Sequence, residues 1–404
     1  MTIDPTTKAE TITNRLDNTS VSGTLSAPPT TPLAAGTTNN VTDLQGITVR
    51  FNSFAALMAT APAPTSAALL AFFDQASFKE DGRNLQAFLQ EITSNPVIAG
   101  GSLAFTDLVL ESVPSWVSTV PSGMTAYDVS FTVLQNTTPT ERHDFIMYNS
   151  QGTWLMLGNQ QVAKAAITAF EGDNNSVMCT GMNLNVDDGG VGINYAVVTG
   201  PGLPAAGVLL YSSGSNNSFN LAAGDPTTYN GTGTTQATVP CSYSNVFVMS
   251  DAQIQSITTL PAVYTVKLYK DNGTVTDLTD DTLVATYNPT MLALPLQSTA
   301  LTSALFAGNI AASPSVLSAA PTGGTVTVSW TAPTASALYA RSLDVFLCNA
   351  SGCQDINTDL SGTATSAIIT VPAAPGTITG DGATVEYVDS VFREIWTSSA
   401  GGSF

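Results

Sequence analysis

The feature that most narrows what this chain can fold into is an apolar period of two, repeated in short runs closed by turn residues. Tyr127, Val129, Phe131 and Val133 alternate with Asp128, Ser130 and Thr132. Successive strand side chains point to opposite faces, so this run reads as a strand with one buried face. The stretch "HDFIMYNSQGTWLMLGN" supplies two more strands, with Phe145 and Met147 alternating before the "NSQG" turn and Trp154 and Met156 after it. Between 173 and 312 the runs are short and β-like: "VMCTGMNLNV", "INYAVVTGPG", "GVLLYSS", "ATVPCSYSNVFVMS", "AVYTVKLYKDNG" and "TLVATYNP". Turn residues separate them at a spacing that suits a sandwich. In the tail, Val326, Val328 and Trp330 share one face until Pro333 ends the run. "SLDVFLC", "SAIITVP" and "ATVEYVDSVFREIW" supply the remaining strands. No self-similarity at a period of about 20 to 50 residues is evident, which argues against a solenoid.

The period differs upstream. Phe51, Phe54, Ala55 and Met58 fall at helical spacing, "TSAALLAFFDQ" follows a Pro break, and Leu85, Phe88, Leu89 and Ile92 form one stripe. Three short helices are expected there. Helices followed by an antiparallel sheet indicate an α+β domain. Residues 1–46 form a Thr, Ser, Pro, Gly and Asn tract that offers little apolar area for burial, so a polar arm is expected.

The order of short helices, the stretch "FKEDGRNLQAFLQEIT" and a final hairpin ending Gly-Thr-Trp-Leu-Met resemble the NTF2-like (SnoaL-like) cone fold over about a third of the chain. The resemblance implies a cone whose interior holds acidic, Tyr and His groups, and Asp81, Tyr127, Asp128, Asp144 and Tyr148 are residues of those types. "SPSVLSAAPTGGTVTVSWTAP" resembles the second strand of a fibronectin type III module, where a buried Trp anchors the core, while "VEYVDSVF" only loosely matches that family's Tyr-x-Val-x-Val strand. The expected architecture is multidomain. A polar arm covers 1–46, an α+β NTF2-like cone domain 47–172, and two all-β immunoglobulin/fibronectin-like sandwiches 173–312 and 313–404.

Charge sets the class of partner. Eleven basic against 30 acidic residues give a formal net charge of −19, although only 10% of residues are charged. Such a chain repels phosphate backbones and anionic lipid, so nucleic-acid binding and polybasic membrane docking are not expected. No apolar stretch reaches the roughly 20 residues needed to span a bilayer. The N-terminal stretch lacks an apolar signal core, which leaves export to a removed leader or to another route.

Cysteine positions point to an oxidising compartment. Cys348 and Cys353 bracket "NASG", a four-residue loop with turn chemistry, and Cys179 and Cys241 each sit in a β-like run. A zinc site would need Cys-x-x-Cys or Cys/His spacing, which is absent. Two disulfides and a secreted or cell-surface bacterial protein are therefore expected.

Few residues invite chemistry. His143 is the one histidine and the one candidate general base. The alternation puts it on the face of Phe145 and Met147, inside the cone near its mouth, with Arg142 and Asp144 outside; no partner is evident at a defined spacing. A Ser-His-Asp triad would have to use this same histidine, and no G-x-S-x-G elbow occurs. Asn183, Asn185 and Asp187 recur like the first positions of a calcium loop, but Asp188 and Asn194 stand where Gly and Glu belong, so a strand with Leu184 and Val186 inward is the simpler account. Asp277, Asp280 and Asp281 form a second acidic candidate. "GPGLPAAG" lacks the phosphate-cradle pattern. Asn349-Ala350-Ser351 is a glycosylation sequon, relevant only in a host that glycosylates.

The expectation is a non-enzymatic structural or assembly protein with no cofactor. It would associate with itself or with another surface protein, in its sharpest form as a filament or sheath subunit joined through the arm. A small-molecule or carbohydrate site lined by Phe131, Phe145, Met147 and Trp154 is the alternative. A cone-based isomerase, lyase or hydrolase using His143 is the third.

Overall fold

The computed structural model describes residues 2–3, 9–13, 20–24, 40–95, 98, 101–136, 138–212, 219–223, 241, 243–273, 280–319, 323–349, 352–373 and 378–400. Residues 1–43 form a unit of their own. In it β1 (Thr2–Ile3), β2 (Ala9–Thr13) and β3 (Ser20–Thr24) pair as an antiparallel meander, so the tract expected as an arm without elements carries three short strands. Helix α1 (Asn40–Met58) starts before the expected boundary at residue 47.

Ile47, Phe51, Phe54 and Met58 line the buried stripe of α1. The predicted second helix is α2 (Ser66–Leu69) running into a single 3₁₀ turn. A two-residue hairpin, β4 (Lys79–Glu80) and β5 (Arg83–Asn84), leads into α3 (Leu85–Ser94). The Asn84 side chain caps α3 by accepting a hydrogen bond from the Ala87 amide, as N-cap residues do. An antiparallel sheet follows in the order β6 (Leu103–Glu111), β7 (Ala126–Gln135), β8 (Thr138–Ser150), β9 (Thr153–Gly158). The helices cover the face carrying Val129, Phe131, Phe145, Met147, Trp154 and Met156. The rings of Phe51, Phe105 and Phe131 meet with centroids 4.7 to 5.4 Å apart, the separation at which aromatic pairs add to simple area burial. Gly46 leaves room for Trp154, since a Cβ there would lie 2.7 Å from the indole Nε1. On the opposite face, Ile146, Tyr148 and Leu157 are covered by Val113, Val117 and Val120 from the β6–β7 connection.

The middle of the chain builds a sandwich from β10 (Ala165–Asn174), β11 (Val177–Val186), β12 (Tyr195–Thr199), β13 (Val208–Ser212), β14 (Phe219–Leu221), β15 (Val246–Val248), β16 (Ala262–Val263), β17 (Thr265–Lys270), β18 (Thr282–Tyr287) and β19 (Thr290–Met291). A five-stranded sheet ordered β14-β13-β12-β17-β18 packs on β15-β11-β10, with Ile167, Leu184 and Val186 meeting Val198, Leu210 and Val266. The tail adds β20 (Gly308–Ser313), β21 (Gly324–Thr331), β22 (Leu338–Asn349), β23 (Gly352–Asp359), β24 (Ser366–Val371), β25 (Ile378–Asp389) and β26 (Glu394–Ala400). Here β20-β21-β24 covers β23-β22-β25-β26, a second β-sandwich in which the Trp330 indole donates to the Tyr387 hydroxyl at 2.8 Å.

The two sandwiches are not separate. β26 pairs antiparallel with β25 on one side and parallel with β10 on the other, Phe170 opposite Glu394 through Asn174 opposite Ser398. One seven-stranded sheet, β15-β11-β10-β26-β25-β22-β23, therefore serves both cores. Segments expected as two domains share a hydrogen-bonded sheet, and β10 begins within the segment assigned to the cone. Each sandwich would otherwise expose a strand edge here, and joining them satisfies both rows of backbone groups.

Cys179 and Cys241 form the expected disulfide, Cα atoms 6.0 Å apart, against the mutually tilted rings of Phe170, Tyr243 and Trp396. Cys348 is also disulfide-bonded, and the β22–β23 register sets Cys353 directly opposite it. No helix among the described residues is long and apolar enough to cross a membrane.

Proline at Thr397, in the central strand β26, removes a ladder hydrogen bond where none can be spared. Hydrogen exchange should then accelerate in β10 and β11 together with β25. Acceleration confined to residues 306–400 would show that the sandwiches unfold independently.

Candidate functional site

The polar centre of the helical region is a carboxylate brought to the histidine by a tight turn. Asp81 and Gly82, the two residues between β4 and β5, both have positive φ (49° and 81°), the conformation of a type I′ hairpin. A Cβ at Gly82 would lie 2.5 Å from the Val162 carbonyl oxygen and 2.7 Å from that of Gly189, so only glycine lets the turn seat against the first sandwich. The turn carries Glu80 inward, where it is wholly buried. Its Oε2 accepts from the Asn159 amide at 2.7 Å, and its Oε1 lies 2.9 Å from His143 Nε2. That second contact sets the two side chains at ion-pair distance. Asn159 completes the support: its Nδ2 donates to Asp81 at 2.7 Å and its Oδ1 accepts from the amides of Asp81 and Gln161.

His143 faces the core side of the sheet as the alternation predicts, edge-on to Phe131 and Phe145, with 24% of its side chain still exposed. Burial works against its charged form, but Glu80, Glu141 and Asp144 together outweigh that and raise its pKa to about 10. Burial likewise pushes Glu80 up to about 7, against the opposing pull of His143. A general base must be neutral at the working pH to accept a proton. An imidazole held as a cation by three carboxylates is suited to locking a fold and poorly suited to that task.

The other residues singled out from the sequence do not converge on this pair. Asp128 and Asp144 lie on the opposite face of the sheet, beside Ser130, Arg142 and Glu111. Tyr148 is on that face too and donates to Asp74 Oδ2 at 2.6 Å. Tyr127 packs at the edge of the aromatic core, its ring 5.9 Å from that of Trp154. Phe131, Phe145, Met147 and Trp154 are all buried in that same core, packed against other rings and against α1.

Asp188 is occupied by its own loop, accepting from the amides of Gly192 and Ile193. Asp187 closes the end of β11 through its amide. Asp281 accepts from the Tyr195 hydroxyl at 2.7 Å, Asp280 lies beside it, and Asp277 falls outside the described residues, as do Ala350 and Ser351 of the sequon. Among the described residues no group of three or more His, Cys, Asp or Glu could hold a metal ion. Leu184 and Val186 point inward as expected, but Asn183, expected on a wet face, is buried. Its Nδ2 donates to Glu394 Oε2 at 2.5 Å while Arg341 bridges Glu394 and Glu386 at 3.2 and 3.0 Å. This second ionic cluster sits on the shared sheet and was not legible locally, because its members come from β11, β22, β25 and β26. The Glu80 site did carry a signal, the Asp-Gly pair that marks a two-residue hairpin.

No protein-family model matches the chain, and no curated protein matches it. Among solved structures it is similar to a crystal structure of the chicken CNTN1 FN1-FN3 domains, at 12% identity over 68% of this chain and 74% of that one, with a TM-score of 0.18. So remote a likeness carries no argument, and the sandwich description rests on strand order and core contacts alone.

His143→Ala strands a buried carboxylate and should cost about 3 kcal/mol, the low end for breaking a buried pair because the imidazole is partly wet. Adding Glu80→Gln should recover part of the loss in a denaturant melt; a double variant no better than the single one sinks the ion-pair account. A second expectation concerns pH. Burial, with Asp144 and Glu111 nearby, raises Asp128 to about 7 from the ordinary 3.8. The folded state thus holds this proton more tightly than the unfolded one, and the associated stability, full below about pH 4, is lost as pH rises through about 7. Asp128→Asn should flatten that decline and melt several degrees above the parent at pH 8. Parallel melting curves across pH 4–8 would exclude it.

Proposed function

We propose that this chain is a non-enzymatic structural subunit of an extracellular or cell-surface assembly, with its N-terminal arm joining neighbouring copies. The carrying observation is the seven-stranded sheet that welds two sandwich cores into one body. A rigid spacer with several open sheet edges suits mechanical or lattice duty, and an edge strand can accept an extended segment of a neighbour by strand addition. The helical region, taken as an NTF2-like cone filled by aromatic rings, serves as a further spacer. The disulfide of Cys179 and Cys241 is compatible with an oxidising, extracytoplasmic setting.

Deleting residues 1–39 stops short of α1 and tests the arm directly. The truncated chain should keep the parent's melting temperature and lose long assemblies in electron microscopy and light scattering. Assemblies that persist unchanged would reject the arm's role.

A further inference from the structure

We infer that the strand β24 is an isologous interface, at which the three-stranded sheet β20-β21-β24 pairs edge to edge with that of a second copy. Three observations converge. First, β24 is an open edge, hydrogen-bonded to β21 over an unbroken register from Ser366 opposite Ser329 to Val371 opposite Gly324, with no strand on its other side among the described residues. Six of the other described edges are guarded. β6 is bulged at Asp107, β20 is irregular between Gly308 and Ala311, β18 pairs across a bulge, β23 carries Asp355 and Asp359, and β14 and β15 have three residues each. Edge strands are normally protected by such bulges, charges or brevity, and β24 has none of these.

Second, the surface is free of charge in an acidic chain. Residues 282–340 and 360–380 contain no Asp, Glu, Lys, Arg or His, and they hold every residue of β20, β21 and β24. Two copies with a formal net charge of −19 each repel one another over most of their surfaces, and here that repulsion is weakest. This is what selects a second copy as the occupant: a basic partner would find no carboxylate on this sheet to pair with.

Third, the strand complements itself. Ser366, Ile368 and Thr370 point outward and Ile369 and Val371 into the core, with Ile368 70% exposed, the most exposed large apolar side chain among the described residues. A two-fold axis perpendicular to the sheet and through Ile368 keeps both cores on the same side. It sets Ile368 opposite its own copy, Ser366 opposite Thr370 of the second copy, and Ala367 opposite Ile369 beneath. Apolar β-branched and Ser/Thr pairs across strands are favourable ones, and the self-matching patch is what a closed two-fold contact requires. The result is a continuous six-stranded sheet in which Thr327, already opposite Ile368 on β21, extends the row on each side.

This contact is separate from the arm and does not depend on it. In the full-length chain, Ile368→Cys treated with a short bis-maleimide should give a covalent dimer on denaturing gels, whereas Val263→Cys, also exposed, should not; none of the described native cysteines is free to react. Ile368→Lys puts two like charges in register at the axis and should weaken self-association at least tenfold in sedimentation equilibrium while leaving the melting temperature unchanged. Cross-linking at 368 no faster than at 263, or association unaffected by Ile368→Lys, overturns the proposal. Loss of assembly on deleting the arm with cross-linking at 368 retained would leave both readings standing as independent contacts.

Discussion

Everything beyond residue 160 depends on the parallel pairing of β10 with β26. A sandwich needs both of its sheets, and in each of these two sandwiches one sheet is part of the same seven-stranded layer. The hydrogen bonds from Phe170 to Asn174 thus hold β26 against the first strand of the middle sandwich. Because β26 is central, both faces of the joint are buried, with Ile395 toward the core and Trp396 in the aromatic cluster around the disulfide. Closing this ladder brings together segments far apart in sequence, which is entropically costly and pays back only when both cores form.

Two buried ionic clusters lie at the seams between cores. Glu80 and His143 lie where the hairpin of the helical region meets the loops flanking the first sandwich, and Asn183, Glu394 and Arg341 lie on the shared sheet. Removing two charges from water costs several kcal/mol per ion, so such pairs contribute little net stability but penalise any arrangement that separates the partners. Here separating the cores would leave those charges without their partners. Further single contacts act in the same direction, among them the Val162 amide donating to the Tyr287 hydroxyl at 2.8 Å and the ring of Trp116 against that same tyrosine. The same burial leaves the chain's one imidazole paired with a carboxylate.

How much was legible in advance divides by range of interaction. Phe131, Phe145, Met147, Trp154 and Met156 fell on the buried face because a strand's side chains alternate whatever it packs against. Val326, Val328 and Trp330 did so for the same reason. The hairpin at Gln151 and Gly152 and the opposition of Cys348 to Cys353 followed from turn chemistry within a few residues. Asn183 was misplaced because alternation assigns a face but not what covers it. The start of α1 was placed too late because Asn40 to Gly46 carries little apolar periodicity.

The sequence by itself determined many of the strands, which of their faces are apolar, that Cys348 and Cys353 can meet across a turn and that the chain is acidic, since each is set by neighbours a few positions apart or by composition. Only the tertiary structure decided that Glu80 reaches His143, 63 positions away, and that Phe170 lies beside Glu394, 224 positions away. No local periodicity encodes such pairings. They follow from how three cores and their leftover strand edges fit together once folded.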